Sequence, residues 1–133
     1  MVAKLLHMCV GVSDLARSEQ FYREALGVAV RDRYSSADGW TVSFLANESS
    51  TMELELVIWD QQPLRYAQPG QDIHIGVCVD NLEAERDRMS AISAQVEPIV
   101  DHLVAGQPFA RYFFASDPDG NWIEFLERNE RYR

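Results

Sequence analysis

The sequence is short of basic residues and of long apolar runs, and each shortage excludes a class of protein. Its 133 residues include 12 lysines and arginines against 21 aspartates and glutamates, which gives a formal net charge of −9. Because so acidic a chain repels a phosphate backbone, nucleic acid is not an expected partner. No apolar run reaches the roughly 20 residues that a membrane-spanning helix needs, so no membrane association is predicted.

Cysteine is also scarce, and the N-terminus is not that of a secreted protein. Only Lys4 and two leucines come shortly before His7, which is too short for the apolar core of a secretory signal. A cytoplasmic location is therefore predicted, where Cys9 and Cys78 are expected to stay reduced. The length suits one domain with a real core, over residues 1–133.

The chain contains an internal repeat. Residues 7–15, HMCVGVSDL, reappear as residues 74–82, HIGVCVDNL, with the histidine, two alternating aliphatic residues, a helix-capping polar residue and the next leucine in common. A second match pairs LEL at 54–56 with IEF at 123–125. Each half therefore has a histidine early and a glutamate late, and the predicted modules are residues 1–60 and 72–133.

Each half predicts the same order of elements, βαβββ, so the predicted fold class is α+β. The first helix begins after Asp14 and ends at Gly27, and the second begins after Asn81. Alternation of apolar residues predicts the strands at 5–12, 28–34, 40–46, 51–59, 72–79, 95–100, 110–115 and 121–126. Residues 61–71, with two prolines and a glycine, are predicted to link the modules.

Four side chains in these strands are candidate metal ligands. Because strand side chains alternate between faces, each candidate points away from the aliphatic residues beside it. The candidates are His7, Glu55, His74 and Glu124. Two imidazoles and two carboxylates suit one divalent metal such as Ni, Zn, Co, Mn or Fe. Glu53 shares the face of Glu55 and is its rival, but the match of 54–56 to 123–125 favours Glu55.

Each candidate also has an ordinary explanation, since a strand histidine is often structural and an outward glutamate is usually solvated. The recurrence of both residue types at matching repeat positions favours the metal site. A merely solvated surface has no reason to repeat residue identity.

The chain resembles the vicinal oxygen chelate superfamily, and within it glyoxalase I (lactoylglutathione lyase). The resemblance lies in His7 with VSDL at 12–15, FY at 21–22 before LG at 26–27, and DPDGNWIE at 117–124. It implies that two modules form a cupped eight-stranded mixed sheet and that His7, Glu55, His74 and Glu124 bind one metal. It further implies a homodimer and a lyase or isomerase reaction, in which Glu55 or Glu124 moves a proton beside a carbonyl of a small metal-chelating substrate.

Two positions depart from bacterial glyoxalase I. In those enzymes an arginine four residues after the first histidine helps to hold glutathione, and this position is Gly11 here. An asparagine a few residues after the second ligand does similar work there, whereas this chain reads VIW at 57–59 and has no amide. These departures count against a glutathione hemithioacetal substrate more than against the metal site.

Other functions stay open for this sequence. They are an epimerase acting beside a thioester carbonyl, a transferase like the fosfomycin-resistance enzymes, a dioxygenase, and a metal-free module like the bleomycin-binding proteins. Glu55 counts against the transferase, and the full set of four ligands counts against the metal-free module. No glycine-rich phosphate loop follows the first strand, so no nucleotide cofactor is expected.

Several further residues have two interpretations each. The aromatic residues Trp59, Tyr112, Phe114 and Trp122 line either a substrate pocket or an aromatic core. Arg111 faces the pocket or solvent, and His102, in the predicted connection 101–108, is solvated or part of a lid. Cys9 and Cys78 are predicted to be small fillers rather than ligands.

Overall fold

The chain divides into two compact units, Met1–Gln71 and Asp72–Arg133. The computed structural model describes residues 7–35, 39–59, 74–130 and 132–133. The predicted linker at 61–71 and the first two residues of the strands predicted at 5–12 and 72–79 lie outside the described residues.

Unit 1 contains one helix and one four-stranded mixed sheet. Its elements are β1 His7–Gly11, α1 Leu15–Leu26, β2 Ala29–Ser35, β3 Trp40–Ala46 and β4 Glu53–Trp59. The strand order is β1-β4-β3-β2, in which β1 and β4 are parallel and the other neighbours are antiparallel. The first and last strands of the unit are thus adjacent.

Unit 2 repeats this arrangement. Its elements are β5 His74–Val79, α2 Leu82–Ile92, β6 Val100–Val104, β7 Gln107–Ser116 and β8 Trp122–Glu127. The strand order is β5-β8-β7-β6, with β5 and β8 parallel. The predicted α+β class with two βαβββ modules is confirmed, and the eight strands form two four-stranded sheets. Within the described ranges, no helix is long and apolar enough to cross a membrane.

The predicted helix boundaries are confirmed. The Asp14 carboxylate accepts a hydrogen bond of 2.9 Å from the backbone N–H of Arg17, and the Asn81 side chain accepts one of 2.9 Å from Ala84. Such caps each contribute about 1 kcal/mol because they satisfy backbone donors that the helix itself leaves unpaired. Gly27 adopts φ 65° after the last turn of α1, a conformation that glycine reaches without strain.

The aliphatic faces of the strands pack towards the helices and form the core of each unit. Val10, Leu56, Ile123 and Phe125 are buried in their strands, and Tyr22 of α1 and Met89 of α2 are fully buried on the helix side. Because strand side chains alternate, the histidines and glutamates beside these residues point to the other face of each sheet. We call this other face the ligand face.

The strand predicted at 95–100 is wrong. Within residues 95–99 there is one isolated β-bridge, between Val96 and Ala115. Pro98 has no backbone N–H to donate to a neighbouring strand. The strand instead runs over Val100–Val104 and pairs with β7 through a two-residue turn at Ala105 and Gly106, whose φ values are 51° and 77°. The predicted connection at 101–108 is therefore a β-hairpin, and His102 lies within a strand.

Candidate metal-binding site

The first histidine and the first glutamate lie side by side in unit 1. His7 stands on β1 opposite Glu53, and Cys9, two residues later, stands opposite Glu55 on β4. The His7 imidazole reaches diagonally along the ligand face, so that its Nε2 lies 3.0 Å from Oε2 of Glu55. This contact depends on the parallel pairing of the first and last strands of the unit.

Unit 2 repeats this contact at equivalent positions. His74 stands on β5 opposite Trp122, and Gly76, two residues later, stands opposite Glu124 on β8. The imidazole Nε2 of His74 lies 3.1 Å from Oε2 of Glu124. The internal repeat therefore places the same two residue types in the same register and in the same diagonal contact.

The register also separates Glu53 from Glu55. Glu53 occupies the position directly opposite the histidine, which Trp122 occupies in unit 2, whereas Glu55 occupies the position of Glu124. The carboxylate that contacts His7 is that of Glu55. The geometry thus favours Glu55 as the candidate ligand, as the sequence match does.

Both pairs are accessible on the imidazole side and shielded on the carboxylate side. The side chains of His7 and His74 are 45% and 40% exposed, whereas those of Glu55 and Glu124 are 15% and 17% exposed. A shielded carboxylate is stabilised by a cationic neighbour, and a metal ion that the imidazole also binds would supply one.

The donor distances fit two neighbouring ligands of one metal ion. With metal–ligand bonds of about 2.1 Å, adjacent ligands of an octahedral ion lie about 3.0 Å apart. The observed 3.0 and 3.1 Å match this spacing and equally match a hydrogen bond from an imidazole N–H to a carboxylate. In the part of the chain that the structure describes, His, Cys, Asp and Glu side chains form no group of three or more that could hold a metal.

A phenyl ring accompanies each pair, and one of the two, that of Phe44, was not predicted from the sequence. Phe44 on β3 stands opposite Glu55, and its ring meets the His7 imidazole edge-on at 5.7 Å. Phe114 on β7 stands opposite Glu124 and meets His74 edge-on at 5.3 Å. The signal for Phe44 was present in the sequence as its recurrence at Phe114.

Further aromatic residues extend from Phe114 along unit 2. The ring of Phe114 lies 5.7 Å from that of Tyr112 and 6.1 Å from that of Trp122. His102 continues this row, 6.3 Å from Tyr112. Tyr112, Phe114 and Trp122 share the ligand face with His74, whereas His102 approaches this row from β6 and is itself exposed, in keeping with the predicted solvated position. The side chain of Trp59 lies outside the described residues.

The two cysteines are free thiols. Partial desolvation, together with the negative charge of Glu55 opposite, raises the pKa of the Cys9 thiol to about 11. Cys9 is exposed and Cys78 is partly exposed, and their role as small fillers stays a prediction.

Arg111 is bound by three carboxylates and is not oriented towards the ligand face. Its guanidinium donates to Glu83 of α2 at 2.6 Å, to Asp101 of β6 at 2.8 Å and to Glu127 of β8 at 3.1 Å. These hydrogen bonds raise the pKa of Arg111, and the bond from Arg111 lowers the pKa of Glu83. Arg111 therefore joins helix and strands within unit 2.

A family comparison agrees with this arrangement. Residues 4–125 match the Glyoxalase/Bleomycin resistance protein/Dioxygenase superfamily, and the chain belongs to this family. The chain is similar to the lactoylglutathione lyase of Haemophilus influenzae, at 30% identity over 128 residues that cover 93% of this chain and 92% of the relative.

Solved structures support the same assignment. The trypanothione-dependent glyoxalase I of Leishmania major superimposes with a TM-score of 0.66 at 30% identity and covers 95% of this chain and 87% of its own. The antibiotic-binding protein TnmS3 of Streptomyces sp. CB03234 superimposes with a TM-score of 0.72, covering 96% of this chain and 98% of its own. Because TnmS3 is only 22% identical, it shows the shared fold alone.

Proposed function

We propose that the protein is a divalent-metal-dependent lyase or isomerase of the glyoxalase type, which moves a proton beside a carbonyl of a small metal-chelating substrate. The observation that carries this proposal is the His–Glu contact that recurs at equivalent positions of the two units, between His7 and Glu55 and between His74 and Glu124. The similarity to lactoylglutathione lyase supports the same reaction class.

In this proposal the two pairs together hold one metal ion through both imidazoles and both carboxylates. The mixed nitrogen and oxygen set suits Ni, Zn, Co, Mn or Fe. When bound, the metal supplies Lewis-acid polarisation of a substrate carbonyl, which acidifies the neighbouring C–H group. The pairs come from one chain or from two chains of a homodimer.

The carboxylates of Glu55 and Glu124 are the proposed proton carriers. Each carboxylate side chain is mostly buried but keeps 15% to 17% of its surface exposed, so it can contact a bound substrate and also exchange its proton with solvent. One of them takes the proton from the carbon beside the carbonyl and returns it to the adjacent carbon. Such a transfer changes no oxidation state overall and requires no organic cofactor.

The substrate class follows from the ligand set and from the two departures noted in the sequence. A substrate with neighbouring oxygen atoms suits a metal with free coordination positions. A glutathione hemithioacetal is one candidate, but Gly11 and residues 57–59 do not supply the arginine and amide that bacterial glyoxalase I uses. We therefore include other 2-oxo and 2-hydroxy carbonyl compounds in the proposal.

A cytoplasmic homodimer completes the proposal. Strands β2 and β6 are the last strands of their sheets, and β6 exposes Leu103 and Val104. Such edges are usually paired or covered, which a second copy of the chain would achieve. The two free cysteines accord with a reducing compartment.

The test combines metal analysis with deuterium exchange. Protein purified without chelator should contain one divalent metal per chain, and His74→Ala or Glu124→Ala should lose most of it while staying folded. In heavy water, the metal-loaded protein should introduce deuterium beside the carbonyl of a substrate from the proposed classes. Glu55→Gln or Glu124→Gln should abolish this exchange.

Glu53→Gln is the matched control, because Glu53 lies on the same strand and the same face as Glu55. It should keep both the metal and the exchange. Full metal occupancy in both the His74 and Glu124 variants would refute the ligand set, and exchange that survives both glutamine variants would refute the carboxylate base. A wild-type protein that binds small molecules but no metal would support a binding module instead.

A further inference from the structure

The same phenyl–imidazole contact occurs in both units. The two rings meet at interplanar angles of 67° for Phe44 and His7 and 86° for Phe114 and His74, which are edge-on arrangements. Edge-on packing is the favourable geometry for aromatic rings, since the positive edge of one ring meets the negative face of the other. The contact therefore restrains the plane of each imidazole.

The register explains why both phenyl rings lie at the ligand pair. Each phenylalanine stands directly opposite the glutamate, Phe44 opposite Glu55 and Phe114 opposite Glu124. The histidine approaches the same glutamate from the strand on its other side. In each half of the chain, histidine, glutamate and phenylalanine thus lie side by side on three adjacent strands.

The alternation of the strands separates these phenylalanines from the core. Phe113, next to Phe114 in sequence, is fully buried and stacks on Phe125 with ring centroids 4.8 Å apart. Phe114 is only half-buried and lies on the ligand face. The chain thus places one phenylalanine in the core and the next beside the histidine.

We propose that Phe44 and Phe114 are positioning residues that hold the imidazoles of His7 and His74 in the orientation that presents Nε2 beside the glutamate. This inference rests on the proposed metal-binding function and adds two residues to it. An imidazole that is free to rotate loses conformational freedom when it binds a metal. A phenyl ring that restrains it beforehand removes part of this loss and so raises metal affinity.

The test compares Phe44→Leu, Phe114→Leu and the double variant with the wild-type protein. Leucine preserves an apolar side chain but removes the ring edge. A contact of this strength corresponds to a rise in the metal dissociation constant of about 3- to 10-fold for each single variant. The double variant should reach about 10- to 100-fold, the range that residues supporting metal ligands typically show.

Three further measurements separate positioning from a merely structural role. Phe113→Leu, which alters the core instead, should lower the melting temperature but leave the dissociation constant of the folded protein within about twofold. Phe44→Tyr and Phe114→Tyr, which keep the ring, should restore affinity to within a similar margin. NMR relaxation of the metal-free protein should show greater motion of the His7 or His74 ring in the corresponding leucine variant.

The outcomes distinguish this inference from the proposed function. Failure of the wild-type protein to bind any divalent metal refutes the proposed function, and the NMR measurement then still decides whether the phenyl rings order the imidazoles. Metal binding that is equally tight in the wild type and in both leucine variants overturns the inference alone. Unchanged imidazole motion in the leucine variants overturns it as well.

Discussion

Asp117 anchors the turn that leads into β8, the strand that carries Glu124. Its side chain is 2% exposed, and one carboxylate oxygen accepts hydrogen bonds from the backbone N–H groups of Asp119 at 2.9 Å and Asn121 at 2.8 Å. The other oxygen accepts a bond of 2.8 Å from the Asn121 amide. The turn also places Gly120 at φ 84°, which other residues adopt only with strain.

We predict that Asp117→Ala destabilises the protein by about 2–4 kcal/mol. Hydrogen bonds to a charged group contribute roughly 1.5–3 kcal/mol each, but water can reach the exposed turn and replace part of what is lost. Asp117→Asn should cost less, about 1–2 kcal/mol, because its amide oxygen still accepts the two backbone bonds while its nitrogen faces the Asn121 amide.

Equilibrium unfolding in urea measures both differences, provided that the slope with denaturant stays constant. Asp87→Ala is the control, because it removes an exposed carboxylate from α2 and should shift stability by less than about 0.5 kcal/mol. A cost below about 1 kcal/mol for Asp117→Ala would refute the anchoring role. Equal costs for the alanine and asparagine variants would show that the backbone hydrogen bonds are not its basis.

Three further predictions address the oligomeric state, the assembly of the site and the ion pairs of unit 2. Light scattering at micromolar concentration should give the molar mass of a dimer. If each site joins two chains, mixing the inactive variants His7→Ala and His74→Ala should restore about a quarter of the wild-type activity, since half of the dimers are mixed and each has one intact site. Sites within single chains should give no recovery. Arg111→Met should lower the melting temperature at pH 7, because Arg111 lowers the pKa of Glu83 in the folded protein. A lowered carboxyl pKa stabilises the fold above the unfolded value of about 4.3 and ceases to do so as the pH falls through the folded value. The difference between this variant and the wild type should therefore shrink below about pH 4, and a constant difference from pH 7 to pH 3 would contradict the assignment.

The elements with strong local signals were predicted correctly. Asp14, Gly27 and Asn81 fix the helix boundaries through bonds and backbone conformations that involve only neighbouring residues. The βαβββ order and the ligand faces followed from alternation and from the repeat. These features depend on residue type at short range, which a sequence displays directly.

The misplaced strand shows where local signals fail. Alternating apolar residues around Val96 resemble a strand, but Pro98 has no N–H to donate to a neighbouring strand. The strand that pairs with β7 is instead the next segment, β6, which forms a hairpin with it, and Val96 makes only an isolated bridge. The turn of that hairpin requires a positive φ at Ala105, a conformation that alanine rarely adopts. The residue type at position 105 therefore does not indicate the turn.

For the candidate site, the sequence indicated the residues but not their contacts. The repeat indicated which four residues to consider, but the diagonal contact and the phenyl rings depend on strand register, which alternation alone does not specify. Phe44 was not predicted because it lies on β3, outside the two repeated segments that indicated the ligands.

Each His–Glu contact joins residues about as far apart along the chain as a unit permits. His7 and Glu55 are 48 residues apart and His74 and Glu124 are 50 apart, because the contact lies between the first and last strands of each unit. The first and last strands must therefore meet before either contact exists, and closing so long a loop is a late and slow step in folding. Formation of one contact thus reports that the first and last strands of its unit are paired. During synthesis, the ribosome releases all the residues of the first contact before any residue of the second, so the first contact is the one that can form earlier.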